Sequence, residues 1–574
     1  MNTNDKSNIA TQTEEISPSN VYVFAPGAFN CIFGNANDSP HTAPSLIALH
    51  RTFPEGCPPS QLPIEMPANY LTYADDSVSD EAFKRIRSFV DTQSPRGADF
   101  KLQENIFASA DQTHRHELYS IMKHITKDKP AYLFGYDVYG IKDLDSYTIV
   151  PLFIDQGTVN YQRIPTLSLC LNFLEEYIRW TMSFSPVTPS ESVFCYIVPD
   201  EHDRLSSELI AKVAFERLGF KSIFPIPHST AVSASSTTHG NACVIDFGYA
   251  STRIICTEEG SILPNSRIVL PFGSGHMTHF FQKCLAFEQS GIPETVALLS
   301  SANILEKTRI IEESKQSFLT FVPRKSKQAL LVPVTSDHHT AVSLQLGPAA
   351  HWASRCIFDP LSIIPQQKRE QPYVFAKPLP PYGSHDDRPY LVAFEGWEEF
   401  DDERGTKALE RKSQRQKKSK KEDGEKQIVE PVVSNWPLPK LDWLMLSDAI
   451  IYSVENALKG SSILTSKLTR DLEIKLKEMR EELYGNLVIT GGLSNVDGLH
   501  DMLENYVNPE GIAVRANNNF TSSLPCKYGS GQDASWRGGA LCSINELTSE
   551  FLVSKHEYER EGNRIIREKV IFPW

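Results

Sequence analysis

Short apolar runs interrupted by glycine turns organise this chain. Val21–Phe24 is a strand, Ala25-Pro26-Gly27-Ala28 a turn, and Asn30–Phe33 resumes an extended segment. The pattern returns in ACVIDFGYASTR, residues 242–253. There Cys243, Val244 and Ile245 form a buried run, Asp246 ends it, Gly248 allows the turn, and Thr252, Ile254 and Ile255 resume a strand. A third run, Asn486–Thr490, meets Gly491-Gly492, and Val496-Asp497-Gly498 then precedes a helix. Helical spacing marks Asp80–Val90, His116–Ile125, Thr166–Phe184, Leu205–Leu218 (ended by Gly219), Ser229–Ser236, Thr278–Leu285, Pro293–Phe318, Trp443–Leu458 and Thr465–Leu483. In Thr166–Phe184 the positions Leu167, Leu171, Leu174, Ile178 and Met182 recur every three or four residues. Further strands are expected at Ala131–Tyr136, Val193–Val198 and Ser222–Ile226, with strand-like pieces ALLVPV and TAVSLQLG between 323 and 346. Strands alternating with helices predict an α/β architecture.

Two stretches break the pattern. Prolines crowd residues 53–70, an irregular excursion. Residues 365–440 are proline-rich and then basic: Arg411, Lys412, Arg415, Lys417, Lys418, Lys420 and Lys421 put seven positive charges in eleven residues. That segment reads as a partly disordered insertion: a solvated linker, a nuclear-import signal at Lys417–Lys421, or a DNA-contacting patch. Residues 1–20 are polar and acidic; a disordered tail is expected there and, without an apolar core, no signal peptide is expected.

The length of 574 residues allows two to four domain-sized units. A net charge of −14 means that nucleic acid can be met only by a local patch. The chain has no run of about eighteen apolar residues, so no membrane span is expected. Cys31, Cys170, Cys195, Cys243, Cys256 and Cys284 lie in apolar runs and read as reduced core residues.

A glycine turn between strands can aim backbone N–H groups at a phosphate, and Asp246 can hold a metal's water shell. The helix start after Gly491-Gly492 can receive a phosphate. Each stretch alone is equally a plain hairpin or a close-packed helix start. Together with SWRGGALCSINELTSEFLVSKHEYEREG near the C-terminus they resemble the actin and actin-related protein family, whose corresponding segment carries WIGG and an SKQEY helix. The resemblance covers most of residues 21–574, apart from 365–440 and the enlarged 53–125 region. APGAFNCIFGNANDSP, WLMLSDAIIYSVENA and REKVIFPW resemble a chromatin-remodelling branch of that family.

The resemblance implies an actin-like fold with two lobes, each with a five-stranded mixed sheet, and a nucleotide cleft between them. The small lobe would hold residues 21–235 and 530–574, and the large lobe 240–529. It places Gly27, Ala28 and Phe29 in a first phosphate loop and Asp246, Gly248, Tyr249 and Ala250 in a second. Gly273 falls near the ribose, Lys315 and Gln316 near the nucleoside, and Gly491 and Gly492 under the adenine and phosphates. ATP would be a structural cofactor, with Mg held through water by Asp246. Several family groups are replaced: Ala25 stands where an Asp helps organise the metal, Ala28 replaces a Ser, Tyr249 a second Asp, Ser229 (beside His228) the water-positioning Gln, and Arg253 a His. Phosphoryl transfer needs charge neutralisation and an oriented water, so the chain is expected to bind nucleotide without hydrolysing it efficiently. The branch implies a non-catalytic nuclear subunit of an Ino-eighty-type remodeller. It would assemble with actin and a second actin-related protein on the remodeller ATPase helix and help bind nucleosomes and linker DNA. A SWI/SNF-type subunit, a filament-forming ATPase and a sugar-kinase-like enzyme are the alternatives.

Overall fold

The computed structural model describes residues 16–51, 65–67, 130–141, 143–200, 204–237, 240–263, 266–288, 304–321, 329–333, 341–345, 349–359, 377–378, 445–460, 470–509, 511–517, 520, 530–545 and 550–569. The first sheet starts with β1 (Val21–Ala25), β2 (Asn30–Asn35) and β3 (His41–Pro44). A small sheet follows from β4 (Leu46–His50), β5 (Tyr132–Phe134) and β6 (Tyr147–Pro151), then a hairpin of β7 (Phe153–Ile154) and β8 (Thr158–Val159). Helix α1 (Leu167–Met182) is capped by Thr166, whose side chain accepts from the Leu169 N–H. It buries Leu171, Leu174 and Ile178. β9 (Val193–Val198), α2 (Arg204–Lys212) and β10 (Ser222–Pro227) complete the unit. The helix expected over Leu205–Leu218 loosens into a π turn at Val213–Leu218 before left-handed Gly219 stops it.

Helix α3 (His228–Ser235) carries the chain across to the second sheet: β11 (Ala242–Phe247), β12 (Thr252–Glu258), β13 (Ser261–Ile262) and β14 (Ile268–Leu270). Next come α4 (Ser274–Glu288), α5 (Ile304–Phe318), the hairpin β15 (Ala329–Pro333) and β16 (Ala341–Gln345), α6 (Ala349–Arg355) and β17 (Lys377–Pro378). α7 (Leu446–Gly460), α8 (Arg470–Gly485), β18 (Leu487–Gly491), α9 (Leu499–Tyr506) and β19 (Ala516–Asn517) finish the second unit. Helix α10 (Ala534–Ile544) returns the chain to the first sheet, where β20 (Val553–Ser554), α11 (Lys555–Glu561) and α12 (Asn563–Lys569) end it.

The two sheets repeat one plan. The order β3-β2-β1-β9-β10 matches β14-β12-β11-β18-β19, each with two antiparallel and then two parallel pairings. The five strands expected in each lobe are this shared path. Short edge strands extend it, β20 on the first sheet and β13 and β17 on the second. Each sheet has its own apolar core: Phe24, Phe173, Tyr177 and Phe194 around the first, Ile245, Phe280, Ile450 and Leu483 around the second.

The crossover helices α3 and α10 pack on each other where Gly538 faces the backbone of Ala231. Trp536 beside it is fully buried against Val23, Cys195 and Ala231. The SKHE stretch forms a capping box: Ser554 accepts from the Glu557 N–H, and the Glu557 carboxylate accepts from Ser554. Burial works against the Glu557 charge, but Lys569 and the Ser554 donors outweigh it and push its pKa down to about 2.

Part of the expected disordered tail is ordered. Ile16 packs on the first core, Pro18–Asn20 form one turn, and Asn35 donates to the Ser19 carbonyl at 2.6 Å. The helices expected at Asp80–Val90 and His116–Ile125, and the basic run Arg411–Lys421, lie outside the described residues. All six cysteines assigned to the core are buried and free. Among the described residues no helix is long and apolar enough to cross a membrane.

Candidate functional site

The two glycine hairpins face each other across the gap between the sheets. The first, Pro26–Phe29, links β1 to β2, and the Ser45 N–H donates to the Phe29 carbonyl at 2.8 Å. The second, Gly248–Ser251, links β11 to β12. It is pinned from below: Gly492 N–H donates to Phe247 O (3.0 Å), Ser274 N–H to Gly248 O (2.8 Å) and Gly275 N–H to Tyr249 O (2.8 Å). Both turns need glycine, because a Cβ at Gly27 would strike the Asn30 carbonyl and one at Gly248 would sit 2.8 Å from that of Ser251. Between the loops the Phe29 and Tyr249 rings stack, 4.8 Å apart and 22° from parallel, with Ala28 and Ala250 against them.

Below the loops lies a buried polar cluster drawn from both halves. Asp246, at the end of β11, accepts from Gln156 Nε2 at 2.7 Å. Gln156 belongs to the β7–β8 turn, and its Oε1 accepts from the Asp200 N–H at 2.8 Å. Asp200 accepts from Ser229 twice, from N–H at 3.0 Å and Oγ–H at 2.7 Å, and lies 3.6 Å from His228 Nδ1. Burial opposes the Asp200 charge, yet His228 and Ser229 win and hold its pKa below the usual carboxylate value. Burial also opposes a charged His228, but Asp246 and then Asp200 raise its pKa above the usual histidine value. Arg253 is buried opposite Asp246 in the β11–β12 ladder.

On the far side of Tyr249, Lys315 of α5 pairs with Glu312 at 2.6 Å and donates to Thr278 Oγ1 at 2.7 Å. Its ammonium lies 6.0 Å from the Tyr249 ring centre. A pocket opens here, lined by Lys315, Gln316, Gly492, Asn495, Asp497 and Gln532.

The structure thus gathers Gly27, Ala28, Phe29, Asp246, Gly248, Tyr249, Ala250, Lys315, Gln316, Gly491 and Gly492 around one cleft. Gly491 packs against the Asp246 carboxylate, since a Cβ there would come within 2.6 Å of its Oδ1. Gly273, expected near a ribose, backs the second hairpin, with a would-be Cβ 2.8 Å from Ser251 N. Sequence reasoning missed Gln156, Asp200, Glu312 and Thr278. A signal existed for the first two. Asp155-Gln156-Gly157 is an Asp-x-Gly turn like Asp246-x-Gly248, with Gly157 at φ 120°, and Asp200 follows the apolar strand β9 by two residues.

The cleft fits the two ends of an adenine nucleotide unequally. The pocket beside Lys315 offers amide and carboxylate groups of the kind that bind a base and ribose. Between the loops, where phosphates would be cradled, two aromatic rings meet.

Duplicate sheets, crossover helices at the centre and paired glycine hairpins in the cleft define the actin fold. Residues 453–571 match the family model for actin, so the chain carries an actin-family domain on an actin fold. Its relatives are named actin-related protein 8. The chain is 22% identical over 403 residues to that protein of Aedes aegypti, covering 66% of this chain and 65% of the relative. To the probable actin-related protein 8 of Schizosaccharomyces pombe it is 24% identical over 453 residues, covering 75% and 64%. The chain thus spans a little under two thirds of these relatives. A solved structure titled as human actin-related protein Arp8 in its ATP-bound state superposes with a TM-score of 0.64 at 16% identity, over 98% of this chain and 99% of that one.

Proposed function

We propose that this chain is a non-catalytic actin-related subunit of a nuclear, ATP-dependent chromatin remodeller of the Ino-eighty type. It assembles with actin and a second actin-related protein on the ATPase helix and helps hold nucleosomes or linker DNA. The observation that carries the non-catalytic part is the loop pair itself. Ala28, Phe29 and Tyr249 supply no metal ligand, and Asp200 engages Ser229 through both its N–H and its hydroxyl. Each tenfold of lost transition-state stabilisation is about 1.4 kcal/mol, and phosphoryl transfer draws its rate from the neutralising charges and positioned water that these residues replace. The likeness to proteins named actin-related protein 8 supports the remodeller part, and the neighbour's ATP-bound state supports an adenine nucleotide as structural ligand, entered through the pocket at Lys315.

Affinity purification of the tagged chain from its own cells, with mass spectrometry, tests the assembly. Co-purification of an Ino-eighty-type ATPase with actin and another actin-related protein is expected. A SWI/SNF-type ATPase would select the runner-up, and recovery with cytoskeletal proteins alone would sink the remodeller reading.

The basic run Arg411–Lys421 carries the DNA part. Neutralising its seven charges is expected to weaken duplex binding and flatten its dependence on salt, because fewer counterions are released. An unchanged salt slope would assign the run to nuclear import or to spacing.

A further inference from the structure

Phe29 and Tyr249 belong to opposite halves of the molecule, and their rings meet where the family's fold brings its phosphate loops together. We propose that this stack takes the place of the phosphates. It holds the two lobes together with no nucleotide present, and it leaves the cleft selective for the nucleoside end of an adenine nucleotide. The selectivity rests on the reading above that the pocket takes such a ligand; the latch itself does not.

Both rings stand on fixed bases. Phe29 is anchored by the Ser45 N–H, and the turn beside it is packed against Gly157, where a Cβ would strike Pro26. Tyr249 is only 8% exposed. Gly275 makes room for its ring, since a Cβ there would lie 2.8 Å from the ring atoms, and Lys315 sits over it. Near-parallel rings at 4.8 Å form a favourable offset contact. Three donors beside the loops are already engaged. Ser274 N–H and Gly275 N–H, at the start of α4, bond the carbonyls of Gly248 and Tyr249, and Lys315 is paired with Glu312. A polyphosphate placed there would displace the stack and could not draw on these three donors without breaking their present bonds. Two further ties bridge the halves: Gln156 bonds Asp246 below the loops, and Leu305 of α5 is buried in the cluster formed by the small sheet of β4, β5 and β6.

The test uses the full-length protein, with X-ray scattering for lobe closure and calorimetry and thermal melting for ligands. Adenosine, ADP and ATP, with and without Mg, are the probes. The proteins are wild type, Tyr249→Phe, and the double variant Phe29→Gly with Tyr249→Gly. Wild type is expected to have the same radius of gyration with and without ATP, and to bind adenosine and ATP within about threefold of each other. Tyr249→Phe keeps a stacking ring and should stay as closed without ligand as wild type. The double variant should expand and melt lower without ligand, and should favour ATP over adenosine. If no probe binds wild type while the double variant still opens, the latch stands and the nucleotide reading falls. ATP binding wild type on the order of a hundredfold tighter than adenosine, or closing it measurably, overturns the proposal. A double variant as closed and as stable as wild type overturns it too. Should the double variant not fold, the wild-type comparison decides alone.

Discussion

Gly538→Ala is expected to destabilise the protein by about 3 kcal/mol, at the top of the range for overpacking, because the new methyl meets backbone rather than a side chain. A Cβ at Gly538 would overlap the Ala231 carbonyl and stand 2.9 Å from its Cα. Neither helix can yield alone. α3 is tied at its start by the Ser229–Asp200 bonds, and α10 is held by Trp536 in the first core. The neighbouring glycine is the control. A Cβ at Gly539 would come 2.5 Å from Ile197 Cδ1 and 3.0 Å from Cys195 Sγ, both ends of side chains that can shift. Gly539→Ala should therefore cost only about 1 kcal/mol. Urea midpoints for the two variants decide. A Gly538→Ala protein as stable as wild type, or less damaged than Gly539→Ala, would show that the crossing has slack.

The second large effect is expected from Asp200. Its side chain is completely buried, and it satisfies two Ser229 donors and faces His228. Asp200→Ala leaves those donors and a raised-pKa histidine without their acceptor, a loss of about 3–5 kcal/mol by analogy with broken buried pairs. The pH dependence has a definite sign. His228 has a folded pKa above 6.5, so its contribution is complete below 6.5 and is lost as pH rises through the folded value. Asp200 has a folded pKa below 3.8, so its contribution is complete above 3.8 and is lost as pH falls through the folded value. Wild type should therefore lose melting temperature as pH is raised from 6.5 through the folded His228 value. Asp200→Asn should lose less over the same interval, the remainder reflecting Asp246. Parallel curves for the two proteins would remove the His228–Asp200 interaction from the account.

Much of this architecture was legible in the sequence, because backbone geometry writes itself into short patterns. The run Cys243–Ile245, the acid that closes it and Gly248 mark a strand and its turn with no help from tertiary contacts, and β11 and β12 follow that text closely. Gly538, in the WRGGA stretch that carries the resemblance, proves to be a point of close helix packing, with Trp536 buried beside it. The site was harder. Phe29 and Tyr249 are 220 positions apart, as the numbering gives, and nothing local to either announces that their rings meet. Gln156 and Asp200 were passed over because a polar residue after a strand is usually exposed, and only the assembled sheets bury these two. Gly273 permits a close approach to the second hairpin that only the assembled sheet shows.

The return of the chain through α10 has a consequence for biosynthesis. Trp536 and Ala540 wall one face of the first sheet, against Val21, Val23 and Cys195. Val553, Tyr558, Ile565 and Ile566 close the other, against Phe215 and Phe220. The first sheet is therefore completed by residues that leave the ribosome after the whole of the second sheet. Until then its strands present apolar faces, while the second half can already bury its own core. The nascent chain must keep the first sheet soluble while the second is being made, and a message truncated before Ala534 would spoil the lobe built on that first sheet.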